Sequence, residues 1–255
     1  MIRQFFQRIM TWIWAKFKNK RSVVFYGDSI STFSGGWIPD GYQCFYEGEN
    51  IQLFGLHDVR DCWWYKVFVR IKRRDRKIIS VINVSYSGSM ITGRTFPAGQ
   101  SYKRITDIAV QQKRKSPDSS PGYIILCMGY NDFGNVIPRN INLLHANNFE
   151  DAYHSTLTQL RSMYPAATVL CTTMLTTTVA GRPDWCWPES EKRSLDRYND
   201  AIRFSAEKVN GCKVVDLAKW APTPFETIDG IHPNQKGHQQ VADAFIKCLD
   251  RMELG

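Results

Sequence analysis

The residue types needed for acyl transfer through a serine stand in four separate segments of the sequence. Ser29 follows an apolar run in VVFYGDSIS, and Asp229 and His232 lie three residues apart in DGIHP. Between these two segments come NVSYSGS, which contains Gly88, and MGYND, which contains Asn131. These segments supply a hydroxyl, flexible backbone, an amide and an Asp/His pair. Nucleophilic acyl transfer requires this set of groups.

Each of these groups meets a separate chemical requirement. An alcohol is a weak nucleophile at neutral pH, so Ser29 needs a base, and the imidazole of His232 can take its proton and return it. Asp229, on the same loop, can reach the other ring nitrogen and fix the tautomer. The oxyanion of a tetrahedral intermediate needs donors, which the N–H groups of Ser29 and Gly88 and the side-chain amide of Asn131 can supply.

Strand and helix patterns alternate along the chain. The predicted strands and helices must bring the four segments together. Five apolar runs of strand length lack strict alternation, which predicts strands covered on both faces. The runs are 22–26, 78–84, 123–128, 168–174 and 213–217, and helical patterns occupy roughly 61–74, 101–115, 149–163, 190–209 and 236–251. This order predicts an α/β fold with a parallel sheet. Sites in such sheets form outside the carboxyl ends of the strands, which is where the polar segments fall.

In order and spacing, the four segments resemble the motif blocks of the SGNH, or GDSL-type, hydrolase superfamily. The resemblance covers about residues 22 to 250 and implies a flavodoxin-like, three-layer α/β/α sandwich with a five-stranded parallel sheet. It also implies that Ser29 is the nucleophile and that Asp229 and His232 complete the triad. By the same resemblance, Gly88 and Asn131 complete the oxyanion hole with the Ser29 amide.

Two positions depart from the family pattern or leave it open. Ile30 stands where the family name has Leu, a conservative change at a position that should only pack. Gly93 lies five residues after Gly88 and is an alternative source of the second oxyanion donor.

The net charge of +9 is concentrated at the start of the chain. Six basic residues precede the first acidic residue, Asp28: Arg3, Arg8, Lys16, Lys18, Lys20 and Arg21. The rest of the chain therefore has a net charge of +3. A second basic run at 70–77 falls where a helix should end and is typical of a solvated, dipole-complementing face. We therefore expect no nucleic-acid partner.

Residues 1–21 have apolar residues at helical spacing and a basic flank, which predicts an amphipathic helix ahead of a hydrolase domain at 22–255. The segment lacks the roughly 18 uninterrupted apolar residues of a membrane span. Two alternatives stay open: contact with a membrane surface, or docking on its own domain or on a second copy. Seven cysteines at irregular spacing favour a reducing compartment. We expect a cytoplasmic location, with or without peripheral membrane contact.

We expect neither a cofactor nor a metal. The histidines other than His232 have no ligand-like spacing, and no C-x-x-C pair is present. Asp28 and Asp132 are expected to order the loops around the site through local hydrogen bonds rather than to transfer protons.

Two loop segments are expected to shape the substrate pocket. One covers residues 32–60 and includes Trp37, and the other contains Trp185 and Trp187. Exposed aromatic rings there would stack on sugar rings or line an acyl pocket; the alternative is that they pin long loops to the domain.

The leading hypothesis is a serine esterase that removes a small acyl group, such as acetyl, from a carbohydrate or similar small-molecule ester. One alternative is a lipase-like or lysophospholipase-like esterase at a membrane surface, which the amphipathic segment at 1–21 motivates. A second alternative is a non-catalytic binding module on the same fold, which would have no need of Ser29, Asp229 and His232 together.

Overall fold

The apolar run after Ser22 forms an interior strand of a sheet that is buried on both faces. In a computed structural model, which describes residues 20–92, 101–135, 148–185 and 189–252, this strand alternates its side chains between two hydrophobic clusters. Val23 and Phe25 point into one cluster, and Val24 and Tyr26 point into the other. All four are at most 1% exposed, so the absence of strict polar alternation in the sequence is explained by burial on both sides.

The strands are β1 Arg21–Gly27, β2 Ile78–Asn83, β3 Ser120–Cys127, β4 Thr168–Thr172, β5 Thr177–Val179, β6 Cys212–Val215 and β7 Phe225–Thr227. The helices are α1 Glu49–Leu53, α2 Trp63–Arg74, α3 Ser101–Lys115, α4 Tyr130–Gly134, α5 Phe149–Met163, α6 Glu189–Lys208, α7 Leu217–Trp220 and α8 Gln235–Arg251. Two 3-10 turns cover Ser29–Ser31 and Val59–Asp61.

Five of the strands form one parallel sheet in the order β2-β1-β3-β4-β6. Val24 in β1 lies opposite Ile82 in β2 on one side and Ile124 in β3 on the other. Because β5 lies outside this sheet, the order is that of a flavodoxin-like, doubly wound fold. The predicted three-layer α/β/α sandwich is confirmed.

Helices cover both faces of this sheet. On one face α2 and α8 pack through large side chains such as Trp63 and Phe245. On the other face α3, α5 and α6 contribute Ile105, Leu157 and Ile202. The carboxyl ends of the strands stay uncovered by these helices, because each strand turns there into the loop that leads to the next element.

The predicted elements agree with the structure to within three residues at each end. The sequence did not predict a second, two-stranded parallel sheet, which β5 and β7 form beside the main sheet. It also did not predict the short helices α1, α4 and α7. These small elements lie in the loops, where a three- to five-residue pattern is too short to show a period.

Some of the sequence predictions fall outside the described residues. They include the amphipathic helix, of which residues 1–19 are not described, as well as Gly93 and Trp187. Within the described ranges, no helix combines the length and hydropathy that a membrane span requires. The six cysteines in those ranges are free thiols.

Candidate active site

Ser29 begins a 3-10 turn directly beyond the carboxyl end of β1. The side-chain oxygen of Asp28 caps this turn by accepting a hydrogen bond from Ile30 N at 3.1 Å. Gly27 is required for the close approach of strand and turn, because a Cβ there would lie 2.5 Å from the Ser31 Oγ. Ser29 is only 6% exposed, so most of its surface is covered by neighbouring residues.

His232 reaches Ser29 from the loop that precedes α8. Its Nε2 lies 2.9 Å from the Ser29 Oγ, and its Nδ1 lies 2.6 Å from the Asp229 Oδ2. The other carboxylate oxygen of Asp229 accepts hydrogen bonds from the backbone N–H groups of Ile231 and His232, at 2.9 and 2.8 Å. The structure therefore brings together the three residues that the sequence named as nucleophile, base and acid.

Hydrogen bonds to Asp229 determine its ionisation. Partial burial alone would raise the pKa of Asp229, but the hydrogen bonds from the ring and backbone of His232, together with the one from Ile231, hold that pKa below its usual range. The carboxylate is thus ionised at neutral pH and holds the proton of the imidazole on Nδ1. This leaves Nε2 free to accept a proton from the Ser29 hydroxyl.

The unpredicted two-stranded sheet supports the loop that carries Asp229 and His232. Thr227, at the end of β7, accepts a hydrogen bond from Gly230 N through its Oγ1 at 2.9 Å. Thr177, at the start of β5, donates from its Oγ1 to Gly230 O at 2.7 Å. Both threonines are fully buried, so the midpoint of the loop is held from two sides.

Gly88 lies on the loop after β2, and Asn131 lies in the short helix α4, directly after β3. Gly88 has a φ of +74°, a left-handed conformation that glycine adopts without steric cost. The side-chain amide of Asn131 donates to Ser89 O at 2.9 Å, which joins α4 to this loop. An amide carries two N–H donors, so the second one of Asn131 is available to a bound oxyanion.

Asp132, also in α4, makes a second link between this helix and the segment after β2. Its carboxylate accepts hydrogen bonds from Ile91 N at 2.9 Å and from Thr92 N at 3.1 Å. Burial raises the pKa of Asp132, and the two N–H donors offset only part of that effect. Asp28 thus makes the local hydrogen bond that was expected of it, whereas the bonds of Asp132 order the site through residues that are 40 and 41 positions away in sequence.

The sequence did not indicate the part that Arg104 takes in the site. This buried residue of α3 donates to Gly27 O at 2.6 Å and to Val84 O at 3.2 Å, so its guanidinium joins the ends of β1 and β2. The guanidinium carbon also lies 4.2 Å from the centre of the Tyr26 ring. Since Arg104 lies in an otherwise ordinary helical pattern, no motif marks it.

The tryptophans predicted to bind substrate differ in their surroundings. Trp185 lies against the loop between Asp229 and His232, because a Cβ on Gly230 would be 3.2 Å from its ring. Trp37 instead packs edge-on against Trp64 and Tyr65, with ring centroids 5.8 and 5.6 Å apart. The contacts of Trp37 thus favour the alternative role of pinning its loop to the domain.

His238 illustrates the structural role of a histidine outside the triad. It is fully buried on α8, and its Nδ1 accepts a hydrogen bond from Trp63 N at 3.3 Å. Burial lowers the pKa of His238 to about 3, so the ring is neutral in the folded protein. Across the described ranges, no group of three or more His, Cys, Asp or Glu side chains is arranged to hold a metal ion.

A family comparison identifies the class of protein to which this geometry belongs. The model of the GDSL-like lipase/acylhydrolase family matches residues 25–240, which is most of the chain and includes all four polar segments. The chain belongs to the GDSL-like lipase/acylhydrolase family. It is therefore a carboxylic ester hydrolase, as the resemblance of the four motif blocks implied.

Solved structures share the fold at low sequence identity. A GDSL-like lipase from Bacteroides ovatus matches with a TM-score of 0.60 and 17% identity, over 92% of this chain and 100% of the other. Axe2, an acetylxylan esterase from Geobacillus stearothermophilus, matches with a TM-score of 0.54 and 20% identity, over 92% and 96% of the two chains. A comparison with curated proteins finds no match.

Proposed function

We propose that this protein is a serine esterase in which Ser29, His232 and Asp229 act as nucleophile, general base and orienting acid. The observation that carries this proposal is the continuous chain of contacts from Asp229 through His232 to Ser29, at 2.6 and 2.9 Å. Ser29 lies 203 residues before His232 in the sequence, and the fold brings it to the loop that carries both His232 and Asp229. Such an arrangement is the requirement for activating a serine.

Hydrolysis proceeds in two steps. The Ser29 Oγ attacks the acyl carbon while its proton passes to the His232 Nε2, and the imidazolium then protonates the departing alcohol. In the second step a water molecule loses its proton to the same nitrogen and attacks the acyl-enzyme, and the proton returns to the Ser29 oxygen. Asp229 stabilises the imidazolium in both steps.

The negative charge of each tetrahedral intermediate needs donors that are already in place. Ser29 N lies at the first position of its 3-10 turn, where an N–H has no partner inside the turn. Gly88 N and the free N–H of the Asn131 amide are the other two proposed donors. The Asn131–Ser89 hydrogen bond and the Asp132–Ile91 hydrogen bond support these two donors by holding α4 against the segment after β2.

A small acyl group on a carbohydrate-like alcohol is the substrate class we propose. The low exposure of Ser29, at 6%, favours a small acyl group over a long chain. Trp185, beside the Asp229–His232 loop, offers an aromatic face for a sugar ring. A structural neighbour that is an acetylxylan esterase supports the same choice.

The membrane-lipase alternative depends on residues 1–21, most of which lie outside the described residues. The preferred acyl chain length therefore decides between the two substrate classes.

The test is hydrolysis of p-nitrophenyl esters from acetate to octanoate, followed by acetylated xylooligosaccharides. We expect wild-type activity to be highest on acetate and to release acetate from the sugar, and Ser29→Ala to be inactive. Ser31→Ala is the matched control, because its buried Oγ has no hydrogen-bond partner among the described residues. Activity that rises steadily with chain length and spares acetylated sugars would contradict the substrate class. Equal rates for wild type and Ser29→Ala would contradict the esterase itself.

A further inference from the structure

The ring of Phe45 lies flat on the imidazole of His232. The two ring centroids are 3.4 Å apart and the planes differ by 9°. The rings of Phe54 and Tyr46 approach the same imidazole edge-on, with centroids at 6.3 and 6.5 Å. Phe45 belongs to the loop that follows Ser29, so an aromatic residue from the nucleophile side of the site covers one face of the base.

The backbone of Phe45 is tied to the nucleophile through a buried threonine. Phe45 N donates to the Thr32 Oγ1 at 2.9 Å, and that hydroxyl in turn donates to Ser29 O at 2.9 Å. Thr32 is fully buried, so no water competes for these bonds. These two bonds connect Ser29 to Phe45 through Thr32. Phe45 stacks on His232, and His232 contacts Ser29, so the four residues form a closed ring of contacts.

Neighbouring bonds hold this part of the loop against the segment around His232. The Tyr46 hydroxyl donates to Pro233 O at 2.8 Å, directly after His232. Asn50 donates from its side-chain amide to Phe45 O at 2.9 Å. Tyr46 is fully buried, so water does not compete for its bond to Pro233. The loop around Phe45 is therefore held against the segment that carries His232.

We propose that Phe45 is a positioning residue for the general base, and that Thr32 couples its placement to the nucleophile. The inference rests on the proposed function and extends it, because it assigns part of catalysis to a loop outside the four motif blocks. Stacking restricts rotation of the imidazole and keeps water from one of its faces. The aromatic face also stabilises the imidazolium that forms when Ser29 gives up its proton.

Other charged or titratable groups also face the imidazole and stay unchanged when Phe45 is altered. Asp229 lies on its own loop, Asp28 at the end of β1, and the neutral His238 on α8. Any effect of a Phe45 substitution on kcat is therefore additional to theirs.

The first experiment compares Phe45→Leu and Phe45→Tyr with wild type on p-nitrophenyl acetate. We expect Phe45→Leu to lower kcat by roughly 2- to 30-fold with little change in KM, since the lost interaction is with the imidazolium. Phe45→Tyr keeps the stacked face and should restore the wild-type kcat. Phe68→Leu, a buried aromatic residue of α2 outside the site, is the control for a general packing defect.

Substitutions at Thr32 test the coupling without a cavity. Thr32→Val keeps the shape but removes both hydrogen bonds, and we expect it to lower kcat about as much as Phe45→Leu, whereas Thr32→Ser keeps wild-type kcat. The double variant Phe45→Leu/Thr32→Val should lose less than the product of the two single effects. Should Phe45→Leu fail to fold, the Thr32 pair decides the question.

The proposal is overturned if Ser29→Ala is inactive while Phe45→Leu and Thr32→Val keep the wild-type kcat. It is also overturned if Phe68→Leu lowers kcat to the same extent as Phe45→Leu, or if Phe45→Tyr fails to restore kcat. Persistent activity in Ser29→Ala would instead remove the proposed function itself, so the two failures are distinguishable.

Discussion

The side-chain amide of Asn131 donates a hydrogen bond to Ser89 O at 2.9 Å and so joins α4, which follows β3, to the loop after β2. Ser89 is the neighbour of Gly88, whose backbone N–H is one of the proposed oxyanion donors. The two donors are therefore fixed relative to each other before substrate binds. Pre-positioned donors stabilise developing charge without reorganising at the moment of reaction.

Asn131→Ala should lower kcat by about 10²- to 10³-fold with a small effect on KM, because its donor acts mainly on the oxyanion. Steady-state kinetics on p-nitrophenyl acetate measure both values. Asn210→Ala, which removes an exposed amide in the turn after α6, is the control. A purely KM effect in Asn131→Ala would assign this amide to substrate binding instead.

Asp229→Asn should lower kcat by about 10³- to 10⁴-fold, because the amide no longer holds the imidazole in the required tautomer. The depressed pKa of Asp229 means that this carboxylate stabilises the fold above about pH 4, and that this stability is lost as the pH falls through its lowered pKa. Between pH 5 and 8 its charge does not change, so it does not shape the pH–rate profile there. Kinetics of Asp229→Asn beside Asp243→Asn, an exposed carboxylate of α8, test this role.

Asp28→Asn should make the protein more stable at pH 7.5 than wild type. Burial raises the pKa of Asp28 to about 6, and its Oδ2 has no hydrogen-bond partner among the described residues. A raised carboxyl pKa gives stability that is full below about pH 3.8 and is lost as the pH rises through about 6. The loss is on the order of 3 kcal/mol.

Denaturant unfolding of wild type and Asp28→Asn at pH 4 and pH 7.5 measures this effect. The difference in unfolding free energy between the two proteins should grow in favour of the variant as the pH rises. A difference that stays constant across this range would show that Asp28 is not destabilised by its burial.

His238→Asn should make the protein less sensitive to low pH, whereas Asp28→Asn makes it less sensitive to high pH. Burial lowers the pKa of His238 to about 3, so the folded protein holds the ring neutral while the unfolded chain binds a proton below about pH 6.5. Wild type therefore loses stability as the pH falls from 6.5 towards 3, whereas the variant lacks this loss. Unfolding curves at pH 7 and pH 5 compare the two, and parallel behaviour would argue against a buried neutral ring.

The main sheet could be predicted because each of its strands is long enough to show a pattern. The runs around Val24 and Ile124 are apolar on both faces, and the intervening helices show a helical period over ten or more residues. The topological rule for open parallel sheets then locates the polar segments at one edge. For this reason Ser29, Asp229 and His232 could be named together without coordinates.

The supporting contacts could not be predicted, because no local pattern marks them. Thr177 and Thr227 lie in strands of three residues, and their bonds to Gly230 depend on how two distant loops meet. Phe45 is one aromatic residue among several in its loop, and only the fold brings its ring onto His232. Long-range packing of this kind carries no sequence period.

Covalent labelling with a fluorophosphonate tests the central claim, that the His232–Asp229 pair activates Ser29, most directly. The probe forms a bond only with an activated serine oxygen, which loses its proton as fluoride departs, and peptide mass spectrometry identifies the modified residue. We predict one label on Ser29 in the wild-type protein and in Ser31→Ala, and almost none in His232→Ala or Ser29→Ala. Wild-type protein that stays unlabelled, or that carries its label on another serine, would contradict the account.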